Sequence, residues 1–339
     1  IRKGEEVLMA SLVNFGNDLY TGKRSVDFIG KRNIWYAIAI VLIIASAIVP
    51  LVNGGFNFGI EFRGGSQFQI IRASSISQQP AVDAIKVVVP SVVPKVTTVG
   101  TDGLRIQTTQ LTDRETSTLT DALAKAYGVP SKDVTTSFIG PSWGADITAQ
   151  ALRALVVFVV LAAIAMAFYF RTWKMALAAI VSLLHDLVIV AGVYAATGFE
   201  VTPAAVIGFL TILGFSLYDT VVVFDKIREN TALLGGESRY TFGESVNLAV
   251  NQTLVRSINT GVVAALPVAS ILFIGAFVLG ANTLQDISLA LLVGIVVGTY
   301  STIFIAAPLY AQLREGEKGV QASNRRTIAA REKSRTVSV

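Results

Sequence analysis

The stretch "TPAAVIGFLTILGFSLYDTVVVF", Thr202 to Phe224, is long and apolar enough to cross a membrane, yet it carries Asp219. A helix needs roughly 20 apolar residues to cross about 30 Å of hydrocarbon. A carboxylate in such a helix costs about 2.5 to 3.5 kcal/mol near the bilayer centre and less toward the interface. Asp219 lies roughly 7.5 Å along the helix from Phe224, and therefore in one half of the span. Because ionisable groups inside membranes usually serve a function, Asp219 indicates a functional site.

The composition of the whole chain is that of an integral membrane protein. Hydrophobic residues make up 53% and charged residues 15% of the 339 positions, whereas charged residues form about a quarter of soluble domains. The chain has no Cys and one His, which excludes disulfides, thiolate metal sites, Cys nucleophiles and His-rich metal clusters. It opens on Ile1 and lacks a signal-peptide pattern before Asn33, so we expect a trimmed or processed terminus and a first span that directs targeting.

Six segments approach the length of a transmembrane helix, and the basic residues between them predict their orientation. Lys and Arg favour the cytoplasmic flanks of spans. They occur before the first span, between the second and third, between the fourth and fifth, and after the sixth, but not in the connections 198–201 and 280–286. Both termini are therefore predicted to be cytoplasmic. The predicted spans are Ile34–Val52, Ala149–Phe170, Met175–Thr197, Thr202–Phe224, Leu254–Leu279 and Ile287–Tyr310.

The long loop 53–148 then lies outside the cytoplasmic membrane, and its periodicities alternate between those of strands and helices. The segments "KVTTV" and "LRIQTT" predict a hairpin around "GTDG", and "TDRETSTLTDALAKAYG" predicts a capped helix. Adding the strands "SQFQIIR" and "DVTTSFIG" and the helix "QQPAVDAIKVVV" gives the order βαββαβ. This order is typical of an α+β ferredoxin-like domain.

The predicted organisation therefore has five parts. They are a cytoplasmic segment at 1–33, the first transmembrane helix at 34–52, the extracytoplasmic ferredoxin-like domain at 53–148, a five-helix membrane region at 149–310, and a basic cytoplasmic tail at 311–339. The tail has several charges and no apolar period, so we expect it to be disordered.

Asp219 is expected to face the inside of the helix bundle. Helical spacing places it on one stripe with Gly208, Ile212 and Ser216. Gly208 and Ser216 are small enough to let another helix approach closely. The alternative to a functional Asp219 is a carboxylate whose interhelical hydrogen bond or ion pair only fastens the bundle.

A polar stripe at the start of the fifth span offers Asp219 a partner. The fourth and fifth spans are antiparallel neighbours, so Arg256 is expected near the cytoplasmic end, close to Asp219 directly or through water. Arg stays charged, whereas Asp can gain a proton, so protonation would break the pair. The alternative is an Arg that snorkels to the interface. The stripe consists of Gln252, Arg256, Asn259 and Thr260.

The third and sixth spans carry further polar or small residues. His185 and Asp186 lie near the midplane of the third span, where they predict either a proton relay or satisfied interior groups. Successive helical residues diverge by about 100°, so the two need not bond each other. Gly294 and Gly298 in the sixth span form a GxxxG-type face that is typical of helix packing.

Enzyme classes fit the sequence poorly. No H-E-x-x-H, P-loop or GxSxG motif occurs, so neither ATPase nor hydrolase activity is expected. An intramembrane aspartyl protease needs two carboxylates that share a site, but Asp186 follows Leu184 and His185 rather than standing in a GxGD motif. We therefore expect a protein that is not an enzyme and that needs no cofactor or metal.

Five motifs together resemble the SecF family of the resistance-nodulation-division superfamily. "GFSLYDTVVVFDKIREN" is similar to the family's G-[YF]-S-x-N-D-T-[IV]-V-V-x-D-R-x-R-E-N, and "FGIEFRGG" to its G-[IL]-D-F-x-G-G. "FIGPSWG" is similar to the closing V-G-P-x-x-G, "LLHDLVIVAG" to the third-span H-D motif, and "GTYSTIFIAAP" to the sixth-span motif. The resemblance runs in the family's order from about residue 20 to 310.

This resemblance implies a subunit of the bacterial SecDF complex in the cytoplasmic (inner) membrane. The expected partners are SecD, the SecYEG translocon, YidC, translocating polypeptide and protons, with no nucleic acid. Proton flow would drive movements of outer domains that assist export. By motif, Asp219 corresponds to the proton-linked Asp and Arg256 to the Arg of the fifth span. An accessory polar network would include His185, Asp186, Ser216, Tyr218, Gln252, Asn259 and Thr260.

Three residues depart from the family pattern. Tyr218 replaces an Asn beside Asp219, where its phenol either bonds the carboxylate or fills space. Lys226 replaces an Arg, and Glu61 replaces the Asp of the outer motif. For that motif we expect a strand-end charge at Glu61 and a tight turn at the glycines, rather than a substrate contact. Its residues are Gly59, Glu61, Gly64 and Gly65.

Two further interpretations stay open. A small-molecule exporter half of the same superfamily would share the membrane region, although such exporters commonly join two halves and larger outer domains in one chain. A translocon assembly scaffold would use the polar residues only to hold helices together. Proton flux in Asp219 and Arg256 variants separates such a scaffold from a proton-driven subunit.

Overall fold

The computed structural model describes residues 16–99, 102–232, 239–278 and 282–337. Within these ranges, six helices are long and apolar enough to cross a membrane, which confirms the six predicted spans. The turn residues Gly100 and Thr101, the predicted end of the fifth span at Leu279 and the start of the chain lie outside the described residues.

The elements follow one another in two groups. The first group is α1 (Arg32–Val52), α2 (Ile60–Arg63), β1 (Gly65–Ile70), α3 (Gln79–Val88), β2 (Lys95–Val99), β3 (Gly103–Thr108), α4 (Asp113–Tyr127) and β4 (Val134–Ile139). The second group is α5 (Pro141–Phe170), α6 (Trp173–Thr197), α7 (Pro203–Thr231), α8 (Phe242–Ser270), α9 (Asn282–Ser301), α10 (Ala307–Glu315) and α11 (Lys318–Val337). The π-helical segments Ile271–Val278 and Thr302–Ala306 extend α8 and join α9 to α10.

The small domain is a four-stranded antiparallel sheet with the strand order β2-β3-β1-β4. Its strands and its helices α3 and α4 follow one another in the chain order expected from the sequence. Local chemistry fixes the ends of α4: Thr112 and Glu115 form a capping box, and Gly128 ends the helix at φ 65°. The buried core of the domain contains Phe68, Ile70, Ile106, Leu119 and Leu123.

Close packing of α7 against α9 organises the membrane helices. A methyl group at Gly294 would overlap the side chain of Ile212, and one at Gly298 would lie 3.1 Å from Cβ of Ser216. Near the other end of α7, a methyl group at Gly208 would lie 2.8 Å from Cβ of Ala290. The expected close approach of helices at these small residues is therefore observed, and α9 is the partner of the α7 stripe.

The fifth membrane helix begins earlier than the sequence predicts. It starts at Phe242 rather than Leu254, because Thr241 and Glu244 form a capping box at its first turn. The side chains of Asn247 and Asn251 bond the backbone of the N-terminal segment: Asn247 Oδ1 accepts from Phe28 N at 2.8 Å, and Asn251 Oδ1 accepts from Val26 N at 2.8 Å. The polar residues at the start of α8, which the sequence prediction left outside the span, therefore anchor the N-terminal segment to this helix.

The prediction of a disordered tail at 311–339 is wrong for the described residues up to 337. They form the end of α10 and the whole of α11. Val320 is buried in the main core, and Asn324 Oδ1 accepts from Phe242 N at 2.8 Å. Arg331 pairs with Glu244 at 2.6 Å. These tertiary contacts order a segment that has no apolar period of its own.

Candidate proton-coupling site in the membrane helices

Asp219 lies inside the bundle, as the sequence predicts. Its side chain projects from α7 toward α8, and the residue is 4% exposed. Oδ1 accepts a hydrogen bond of 2.8 Å from Ser257 Oγ. Oδ2 is buried and has no hydrogen-bond partner among the described residues. A buried carboxylate with one unpartnered oxygen is costly in its ionised form, so the site is suited to a group that gains and loses a proton.

A second buried carboxylate lies on the neighbouring helix α6. Asp186 Oδ2 accepts a 2.6 Å hydrogen bond from Ser216 Oγ, and Asp186 Oδ1 lies 3.2 Å from Nδ1 of His185. Nε2 of His185 is buried with no hydrogen-bond partner among the described residues. Ser216 and Asp219 share one stripe of α7, so this stripe brings the polar groups of two spans together.

The predicted pairing of Asp219 with Arg256 is not observed. No salt bridge joins them in the described part of the chain; Ser257 faces Asp219, and Arg256, which is exposed, projects to the outside of α8. Neighbouring helical positions differ by about 100°, so placing Ser257 inward places Arg256 outward. Arg256 still attracts the Asp219 carboxylate electrostatically.

The other members of the predicted polar network also lie apart from Asp219. Tyr218 is 57% exposed and has no hydrogen bond to Asp219, and Asn259 is likewise exposed. Thr260 bonds the carbonyl of Arg256 in its own helix at 2.8 Å. Gln252 accepts from Asn230 at 2.9 Å and donates to the carbonyl of Tyr20 at 3.1 Å.

The outer motif forms a turn between α1 and the sheet. Gly64 has φ 74° and Gly65 has φ 142°, and a methyl group at Gly65 would overlap the carbonyl oxygen of Thr108. Both facts agree with the expected tight turn. Gly59 donates its N–H to Val201 O at 3.0 Å, which holds this turn against the connection between α6 and α7.

Glu61 is not a strand-end charge, because it lies in the short helix α2 beside a second carboxylate. A methyl group at Gly59 would overlap Glu61 Oε2 and lie 3.2 Å from Glu200 Oε1. Glu61 Oε2 is buried and has no hydrogen-bond partner among the described residues. Burial raises the pKa of Glu61; the Glu200 carboxylate adds to this, while the backbone amide of Glu61 and the Arg105 charge oppose it.

Sequence reasoning missed the residues that hold these groups. Ser257 stands next to Arg256 in the sequence, and it could have been found as a polar residue about 100° around the helix from the stripe. Glu200 is the only charge in the short connection 198–201, and Arg105 pairs with it at 2.8 Å. The alternation of β3 places Arg105 and Gln107 on the same face of the strand, but sequence alone does not say what that face meets.

A cluster of apolar residues lies between the carboxylate of Glu200 and the buried carboxylates of Asp186 and Asp219. Val190, Ala205 and Ala290 are fully buried and pack with Tyr194, also fully buried, at the outer half of α6, α7 and α9. In the sequence, Val190 and Tyr194 of α6 lie between Asp186 and Glu200, and Ala205 of α7 lies between Thr202 and Ser216. The described residues contain no cluster of three or more His, Asp and Glu side chains able to hold a metal ion.

Comparisons with known proteins agree with this architecture. Residues 119–316 match the family model "Protein export membrane protein SecD/SecF, C-terminal", and residues 51–70 match the "SecD/SecF GG Motif". The Streptomyces coelicolor protein translocase subunit SecF is 45% identical over 325 residues, which cover 95% of this chain and 86% of the relative. A Mycobacterium tuberculosis SecF is 42% identical over 328 residues, covering 94% and 74%.

A solved structure is similar as well. The crystal structure of SecDF from Thermus thermophilus, described as a translocon-associated membrane protein, matches with a TM-score of 0.73 and 29% identity over 86% of this chain. The match covers 39% of the SecDF chain, so this chain spans about two fifths of it. Because a family model covers more than half of the residues and close relatives align over nearly all of them, this multi-pass membrane protein belongs to the SecF family of protein translocase subunits.

Proposed function

We propose that the chain is the SecF half of a SecD–SecF pair that uses the proton motive force to assist protein export through the SecYEG translocon. The observation that carries the proposal is the state of Asp219. Its carboxylate is buried in a membrane helix of this chain, which belongs to a family of translocase subunits. One oxygen accepts a single hydrogen bond, and the other has no partner among the described residues. A structural fastening group would be expected to have both oxygens bonded.

Proton uptake by Asp219 would change its contacts without unfolding the bundle. The ionised carboxylate accepts from Ser257 and is attracted by Arg256. The protonated acid loses that attraction and gains an O–H that needs an acceptor, so the packing of α7 against α8 is biased toward another arrangement. A charge that crosses the membrane potential supplies about 2.3 kcal/mol per 100 mV, enough to shift a two-state equilibrium.

The proposal includes a second membrane subunit, such as SecD, beside the polar face of α7 and α8. Tyr218, Arg256 and Asn259 are exposed, although they lie in membrane-spanning helices. Lipid cannot satisfy an Arg or an Asn at this depth, so helices of another chain are the expected cover. The Arg256 side chain would then contact a group of the second subunit and would still attract the Asp219 carboxylate electrostatically. YidC is a further expected partner, and no nucleic acid is.

The sheet domain is proposed to be ferredoxin-like and extracytoplasmic, with both termini in the cytoplasm of a bacterial cell. Its antiparallel strand order β2-β3-β1-β4 supports the fold, since the first strand lies centrally between the third and fourth. The basic residues that flank the other end of the helices support the orientation.

The chain is proposed not to be an enzyme and to need no cofactor. Asp186 and Asp219 bond different serines, Ser216 and Ser257, and share no hydrogen bond among the described residues. A pair of carboxylates that shares one site, as aspartyl proteolysis requires, is therefore not assembled.

Reconstitution tests the function. Vesicles that contain SecYEG, its motor ATPase and this chain with its SecD partner should export a secretory protein faster when a proton gradient is imposed. Vesicles without this chain should not show that increase. Equal stimulation in both would contradict the proposal, whereas stimulated export of small molecules instead of protein would favour an exporter half.

A further inference from the structure

The connection between α6 and α7 is built into the sheet domain. Val201 N donates to Asn57 O at 2.7 Å, and Gly59 N donates to Val201 O at 3.0 Å. These bonds form an isolated parallel bridge between Phe58 and Val201. The sheet domain is therefore joined to the outer end of the membrane helices by backbone pairing as well as by its two covalent links to α1 and α5.

A partly buried ion pair lies at this junction. Arg105 Nη1 on β3 lies 2.8 Å from Glu200 Oε2, and the two side chains are only 15% and 10% exposed. The other oxygen of Glu200 accepts from Gln107 Nε2 at 2.5 Å, and the same amide reaches Gln67 Oε1 at 3.1 Å. Ion pairs removed from solvent often add little net stability over apolar packing, so a role of this pair in positioning the two parts is the better explanation of its presence.

The next residues of the connection start the helix that carries Asp219. Thr202 Oγ1 accepts from Ala205 N at 3.2 Å, which caps α7, and donates to Asp286 Oδ2 on α9 at 2.8 Å. Asp219 follows on the same helix, roughly 25 Å farther along at 1.5 Å per residue. One uninterrupted helix thus runs from the junction to the proposed proton site.

We propose that Arg105 and Glu200 are the positioning residues that couple Asp219 to the sheet domain. They hold the sheet to the outer end of α7, so that a displacement of α7 caused at Asp219 moves the sheet domain as one body with the helix. The inference rests on the proposed function. In it, the Arg105–Glu200 contact transmits the proton-driven movement of α7 to the sheet domain.

Removing the pair should separate proton uptake from export. Glu200→Gln removes the charge that orients Arg105 but keeps the acceptor for Gln107. In the reconstituted complex we expect normal proton uptake with loss of most of the proton-driven increase in export. The matched control is Glu315→Gln, which breaks the Arg32–Glu315 pair of 2.7 Å at the other end of the bundle and should keep full stimulation. A Glu200→Gln complex that keeps full stimulation overturns the proposal.

A disulfide provides a second test that leaves the charges of Arg105 and Glu200 in place. The chain has no Cys, so Phe58→Cys with Val201→Cys places one new pair across the bridge, where strand neighbours lie close enough to be linked. Oxidation should leave stimulation of the otherwise native protein intact and should restore it in the Glu200→Gln background, reversibly with dithiothreitol. Loss of stimulation on oxidation of the native background contradicts a rigid joint. Absence of any stimulation in the unmodified complex contradicts the proposed function itself.

Discussion

Asp219 and Asp186, two of the buried carboxylates of the membrane helices, each accept a hydrogen bond from a serine hydroxyl. Ser257 bonds Asp219 and Ser216 bonds Asp186, and each serine lies on a helix adjacent to that of its partner. A hydroxyl can donate to a carboxylate or accept from a carboxylic acid, so it can serve either protonation state. A direct Arg partner would hold the ionised form more firmly. In the proposed function, the position of Arg256 outside this contact would leave Asp219 free to take up a proton.

Glu61 provides a pH prediction at the scale of one residue. Its pKa is raised in the folded protein, so ionisation disfavours the fold and stability declines as the pH rises above the ordinary value of 4.5. The melting temperature of Glu61→Gln should therefore decline less than that of the native protein as the pH is raised from 4.5.

Glu115 supplies a control of opposite sign for this measurement. The backbone amide of Thr112 donates to Glu115 and lowers its pKa, so its contribution is present at neutral pH and is lost as the pH falls. Glu115→Gln should leave the decline above pH 5 unchanged. An identical decline in Glu61→Gln and the native protein would contradict the burial of an ionisable Glu61.

At the scale of elements, the sequence predicted that the small-residue faces of α7 and α9 pack closely against other helices, but not that they pack against each other or how α8 is rotated. The glycines and serine of α7 and α9 predicted close packing because only small residues permit it. The stripe from Gln252 to Thr260 did not reveal whether it faced the bundle or a second chain, because polar side chains suit both. Similarly, α11 depends on Asn324 and Arg331 reaching residues far away in sequence, which no local pattern reports.

Gly294→Ala should loosen the contact between α7 and α9. The added methyl group would overlap Ile212, and such overpacking typically costs about 1 to 3 kcal/mol. We expect a lower melting temperature in detergent. Gly214→Ala on α7 is the matched control, since nothing lies within 4 Å of the added carbon and Ala is the better helix former. Equal stability of the two variants would argue against the close packing.

At the scale of the whole molecule, the exposed surface of the membrane helices is of two kinds. The outer surface of α5 is apolar, with Phe168 81% exposed, and suits lipid. The surface of α7 and α8 exposes Tyr218, Arg256 and Asn259, and its Arg and Asn side chains need a protein cover. Only the second surface is therefore expected to contact another subunit.

Site-specific crosslinking distinguishes these surfaces. A photo-crosslinking amino acid at Tyr218 should capture the SecD partner in native membranes, whereas the same probe at Phe168 should not. Capture from both positions in equal yield, or from Phe168 alone, would place the subunit interface elsewhere. The absence of Cys allows the same positions to be examined afterwards by disulfide mapping on a clean background.

The most direct test of proton coupling is Asp219→Asn compared with Asp225→Asn. Asp225 lies on the same helix but is exposed and is bonded by Tyr169 at 2.7 Å. Both variants should assemble with the partner, because Asn keeps the shape of Asp. In vesicles with an imposed proton gradient, Asp219→Asn should abolish the gradient-dependent increase in protein export, and Asp225→Asn should retain it. Undiminished stimulation in a well-assembled Asp219→Asn complex would contradict the central role of Asp219.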